Sequence, residues 1–139
     1  MRRNILTYKA PPNNEGYDLI CIHPDPRTVT RQIRIQVKSR YASDSHLGFP
    51  VKEKSLDAFD FLIAAFLNIG NFWSKKLDAE LEPTFYTFPV GFIKKHHDKT
   101  SSWEKVRFAK NHNLDEYKDA KGFELIARRL RIPYPARPL

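Results

Sequence analysis

An acid stands inside an apolar strand. Asp18 interrupts residues 17–22, which are otherwise Tyr17, Leu19, Ile20, Cys21 and Ile22. Taking a carboxylate out of water is costly unless it finds a partner or a metal. The chain offers the partner nearby. Residues 23–28 hold Pro24, Asp25 and Pro26, a turn-forming set, and residues 29–38 then alternate with β-branched side chains. Folded back antiparallel about that turn, the two segments place Asp18 roughly opposite residues 36–38. Alternation assigns Ile33, Ile35 and Val37 to one face and Arg34, Gln36 and Lys38 to the other. A carboxylate, an amide and an ammonium then converge at one point.

These are the parts of a site for metal-assisted phosphodiester cleavage. Asp18 offers a carboxylate oxygen, Gln36 an amide oxygen and Val37 a backbone carbonyl to a hard divalent cation, Mg²⁺ or Mn²⁺. Lys38 would sit beside the attacking water and the charge that builds on the phosphate. Glu15 is the one acid upstream of Asp18; it is either an extra ligand or a solvated turn residue. The plain alternative for the whole set is an Asp–Lys pair in a hairpin without a ligand. Arg34 is placed to reach a phosphate or to decorate the strand surface. Ser39 and Arg40 continue past the site, within reach of a sugar-phosphate chain. Lys94, Lys95, His96 and His97 form a basic cluster. Neighbouring helical residues point about 100° apart, so two adjacent histidines do not readily share one ion; a solvated basic cluster with Lys94 and Lys95 is the better reading, and that cluster could contact phosphates. Trp73 and Trp103 are core or loop anchors, or stacking platforms for bases.

Asp18 on one strand, with Gln36 and Lys38 flanking Val37 on the next, resembles the core of the PD-(D/E)XK nuclease superfamily. That is the restriction-endonuclease-like fold, and the Gln-x-Lys form resembles a branch in which Gln replaces the usual Glu. Residues 60–65 resemble the family's third strand and residues 85–89 its fourth, edge strand. The resemblance implies an α/β fold, a mixed central β-sheet flanked by helices, and metal-dependent hydrolysis of DNA. An inactive relative that only binds nucleic acid or a protein is the alternative. The family's usual helix before the first strand, often bearing a metal-binding Glu, has no counterpart in the first fourteen residues, which carry no acid.

The 139 residues suit one domain, with a basic arm over 1–14 and a nuclease-like domain over 15–139. A hydrophobic fraction of 41% with 13% aromatics supports a packed core. The net charge of +8 favours a polyanionic partner, nucleic acid above all, or is a plain solubility surplus. Cys21 is the single cysteine, which excludes an internal disulfide and reads as a small buried hydrophobe. The N-terminal residues lead into no apolar run, and residues 61–67 fall far short of the roughly 20 needed to span a membrane. A cytoplasmic protein without a membrane partner is expected.

Further along, the pattern predicts a loop over 41–50, a helical turn or two within 52–58 and a buried strand over 61–66, with a helix over 56–67 as the competing reading. It predicts a polar connection over 68–82, a strand over 84–88 and a short helix over 90–97. A strand at 105–108, a turn at 114–117 and a helix over 121–130 follow. Phe123, Ile126, Ala127 and Leu130 share one face of that last helix, and three prolines extend the tail. Residues 5–8 either form a short strand or lie against a neighbour, and Pro11 and Pro12 bar a helix there. Without a first helix one flank of the sheet is left open, so a homodimer is expected in which a partner's residues 1–12 cover it.

Overall fold

The hairpin expected from the alternation forms. β2 (Leu19–Ile22) pairs antiparallel with β3 (Ile33–Tyr41), with Leu19 opposite Ile35 and Cys21 opposite Ile33. At the turn, Asp25 Oδ1 accepts the Arg27 backbone N–H at 3.0 Å and its Nε at 3.1 Å. The Arg27 side chain and backbone hold the Asp25 carboxyl below its ordinary range. The computed structural model describes residues 5–12, 16–25, 27, 31–41, 48–67, 71–72, 75–76, 83–98, 105–107 and 114–132.

β1 (Leu6–Lys9) lies antiparallel on the outer side of β2. Residues 6–9 of the basic arm thus form the expected short strand, as part of the sheet. They cover their own β2, so this part of 1–12 is not free to shield a partner's flank. After β4 (Gly48–Pro50) and a 3-10 turn at Glu53–Ser55, β5 (Phe61–Leu67) runs parallel to β3, with Ile35 beside Phe61 and Lys38 beside Ala64. Its side chains are almost all buried, which explains its unbroken apolar sequence. The hairpin β6 (Asn71–Phe72) and β7 (Lys75–Lys76) occupies part of the expected polar connection. β8 (Thr84–Pro89) closes the sheet antiparallel to β5, in the order β1-β2-β3-β5-β8. The fold is α/β with a mixed five-stranded sheet, as expected.

Each face of the sheet carries a core. On one, Cys21, Ile33, Ile35, Phe61 and Ile63 pack against α2 (Asp119–Arg129) through Ile126, Ala127 and, just beyond it, Leu130. Burying an aliphatic side chain of this size contributes about 1.5–3 kcal/mol. The Asp119 carboxylate accepts the Phe85 N–H at 2.9 Å and Lys118 bridges Tyr86, so the start of α2 covers the β8 edge. On the other face, Leu62, Ala64 and Phe88 pack with Phe49, Leu56, Phe59 and Ile93. Ile93 belongs to α1 (Val90–His96). A small sheet, β4-β10-β9, adds β9 (His97–Asp98) and β10 (Lys105–Arg107). Residues 48–50, read from sequence as loop, are therefore a strand, because their partner comes from 105–107, more than fifty residues away. Trp73, Trp103 and the proline-rich tail lie outside the described residues. Among the described residues no helix is long and apolar enough to cross a membrane.

Candidate active site

Asp18 is the last residue before β2. The register that sets Leu19 opposite Ile35 carries one step on, so Asp18 faces Gln36. Its backbone is held from both sides: its N–H donates to the Ile35 carbonyl at 2.7 Å, and its carbonyl accepts the Ala10 N–H at 2.8 Å. Two residues earlier the chain turns at Gly16, whose φ of +96° favours glycine. A Cβ at Gly16 would overlap the Ala58 side chain. The approach of the chain to Asp18 thus depends on this glycine, whose contact with Ala58 is too distant in sequence for any local pattern to mark.

The Asp18 carboxylate closes the arrangement with one oxygen. Oδ2 accepts Gln36 Nε2 at 3.0 Å and the Val37 N–H at 2.8 Å. Both donors fall on the same oxygen, and Oδ1 has no protein hydrogen-bond partner among the described residues. Gln36 gives its amide nitrogen to Asp18, which turns its amide oxygen away from that contact. The N–H and C=O of one strand residue point to the same side. The Val37 carbonyl therefore points where its N–H does, toward the side on which β2 has already ended. Lys38, half-buried, shares the Gln36 face by alternation. Asp18 itself is exposed, and so is Ser39.

This donor set, a carboxylate, an amide and a carbonyl oxygen, is of the kind a hard divalent cation takes. Its types fit Mg²⁺ or Mn²⁺ rather than a sulfur-seeking metal. Among the described residues no three of His, Cys, Asp and Glu come together. Glu15, the extra carboxylate weighed from sequence, lies outside the described residues, and so does the Arg40 side chain.

The outlying candidates are placed less centrally. The Arg34 guanidinium meets Asp60 at 3.3 and 3.4 Å and donates to the Asp57 carbonyl at 3.3 Å. Asp60 Oδ2 also accepts the Arg34 backbone N–H at 2.8 Å. Arg34 thus ties β3 to the start of β5, with its charge already matched. Asp60 was foreshadowed in sequence, since it precedes an apolar strand as Asp18 does. Lys94 pairs with Asp57 at 3.0 Å on the surface; such exposed pairs are worth about 0–1 kcal/mol. Lys95 is exposed. His96 packs its ring on Phe92 at 4.5 Å, whereas His97 Nε2 meets the Val51 carbonyl at 2.6 Å. The two histidines go to different partners.

No family model matches this chain, and no curated protein matches it by sequence. Its fold is similar to the solved structure of a bacterial homing endonuclease, I-Ssp6803I. The TM-score is 0.50 over 91% of this chain and 79% of that one, at 18% identity. The sheet that carries Asp18, Gln36 and Lys38 is therefore a fold that an endonuclease also uses.

Proposed function

We propose that this chain is a metal-dependent endonuclease that hydrolyses DNA phosphodiester bonds, a Gln-x-Lys member of the PD-(D/E)XK superfamily. The observation that carries the reading is the Asp18 carboxylate held against Gln36 Nε2 and the Val37 N–H, on the sheet face that also bears Lys38. The structural likeness to a homing endonuclease and the charge of +8 support DNA as the substrate.

Asp18, Gln36 and the Val37 carbonyl would hold Mg²⁺ or Mn²⁺. That ion, when bound, supplies Lewis-acid polarisation of the phosphate and acidifies a water. Asp18 orients the donor set, because its second hydrogen bond pins the β3 backbone while the first pins Gln36. Lys38 stabilises negative charge on the phosphate as water adds and the bond to the leaving oxygen breaks. Cutting both strands of a duplex calls for two such sites, which a homodimer would supply.

The test is a nuclease assay with Mg²⁺ and Mn²⁺ on plasmid, linear duplex and single-stranded DNA. Wild type should cleave. Lys38→Ala should lose about a hundredfold or more in rate while keeping DNA affinity, and Asp18→Ala should lose metal binding together with activity. Equal cleavage by wild type and Lys38→Ala would remove the site from the chemistry. Salt-sensitive DNA binding without cleavage under any divalent metal would leave a binding module instead.

A further inference from the structure

The sheet face that bears Asp18, Gln36 and Lys38 does not end at them. By strand alternation, Leu6 and Tyr8 of β1 and Ile20 and Ile22 of β2 lie on the same face. Over β5 and β8 that face is buried under the core containing Phe49, Phe59 and Ile93. Over β1 it is open: Tyr8 is 54% and Leu6 39% exposed, the two exposed large hydrophobic side chains among the described residues. Register sets Ala10, Asp18 and Gln36 in one row across the sheet and Tyr8, Ile20 and Arg34 in the next. Rows of one face are about 6.8 Å apart and strands about 4.8 Å, so Tyr8 stands roughly 8 Å from Asp18 across the sheet surface, backbone to backbone.

Two occupants suit an open apolar edge, a second copy of the chain or the substrate. β1 is a poor template for strand addition. It is four residues long and is followed by Pro11 and Pro12, with Lys9 at its end; short strands, lysine and proline blunt edge pairing. The net charge of +8 favours a polyanion, and on the endonuclease reading the same face runs on to the scissile phosphate beside Asp18. An aromatic ring standing on a sheet offers its π-face to a base, and a base inside a duplex has both faces already stacked.

Building on the endonuclease reading, we propose that Tyr8 is a nucleotide-stacking residue of the same site, and that the substrate is DNA with an unpaired nucleotide beside the scissile phosphate. Leu6, Ile20 and Ile22 form the apolar surround on which the ring and the deoxyribose rest.

The experiment measures anisotropy of labelled oligothymidylate and of a fully paired duplex of equal length, with Ca²⁺ in place of Mg²⁺ to hold back cleavage. Tyr8→Ala should weaken oligothymidylate binding roughly five- to hundredfold, with a smaller change on the duplex. Tyr8→Phe, which keeps the ring, should bind as wild type. Tyr8→Leu, which keeps the apolar bulk and the strand preference, should fail as Tyr8→Ala does, separating stacking from folding. If wild type binds and cleaves DNA and Tyr8→Ala does both equally well, the inference falls while the endonuclease reading stands. If wild type binds neither probe and cleaves nothing, both fall. A change in sedimentation on Tyr8→Ala without a change in DNA binding assigns the face to a second copy and overturns the inference.

Discussion

Gln36→Glu converts the central contact of the site into its opposite. In the wild type, Gln36 Nε2 donates to Asp18 Oδ2 at 3.0 Å. The substitution replaces that donor with a second carboxylate. The lost hydrogen bond costs about 0.5–1.5 kcal/mol. Two like charges 4 Å apart repel by about 1 kcal/mol in bulk water and about 4 kcal/mol at an effective dielectric constant of 20. Asp18 is exposed, so the low end applies, and the new side chain can swing outward. The metal-free protein should lose about 1–3 kcal/mol, or ~4 °C of Tm per kcal/mol for a domain of this size. The loss should shrink as pH falls through the carboxylate range, because protonating one member of the pair ends the repulsion. A divalent cation at the site should reverse it, since a ligand at a hundred times its Kd stabilises by about 2.7 kcal/mol. Gln36→Glu should therefore gain more Tm from Mn²⁺ than wild type does. Thermal melts with and without Mn²⁺, at acid and neutral pH, check this. If the variant melts like wild type without metal and neither protein responds to Mn²⁺, the Asp18–Gln36 pair is not a cation site.

Three further outcomes follow from single residues. Gly16→Ala should cost about 2 kcal/mol or more, from its positive φ and the overlap with Ala58, and should lower activity beyond its stability loss because Asp18 lies two residues on. Chemical denaturation showing a loss under 0.5 kcal/mol would refute it. Thr87 is fully buried, and its hydroxyl has no partner among the described residues. Thr87→Val should raise stability by about 1 kcal/mol in the same assay, and a destabilised variant would mean the hydroxyl is satisfied. Burial raises the Cys21 thiol above its ordinary value against a smaller lowering by Thr7. Its neutral form thus supports the fold below the unfolded thiol's range, and that contribution is lost as pH rises through the folded value. Stability should fall in alkali more steeply for wild type than for Cys21→Ala.

Much of the site was legible because it is local. The turn at Pro24 and Asp25 and the period of two through Ile33, Ile35 and Val37 are enough to place Asp18 opposite Gln36. Both strands lie within about twenty-five residues, so few alternative pairings compete. The buried strand at 61–67 and the apolar face of α2 were legible for a similar reason, since periodicity and composition are properties of a segment. Lys94 and Arg34 were legible as basic residues, but not as members of ion pairs with Asp57 and Asp60, since those carboxylates lie more than twenty residues away in sequence.

The sequence by itself determined which residues share a strand face, and so which carboxylate meets which amide. Side-chain alternation is a consequence of backbone geometry and needs no distant partner. Only the tertiary structure decided the rest. The parallel seating of β5 on β3, the strand at Gly48–Pro50 and the packing of Ala58 that requires Gly16 all depend on non-local contacts. So does the openness of the face around Tyr8. Leu6, Tyr8 and Leu62 lie on the same sheet face, yet Leu62 is buried and Tyr8 is not. The difference lies in what packs above each one: the unbroken apolar run of β5 marks burial on both faces, whereas the alternation of β1 does not say whether its apolar face will be covered.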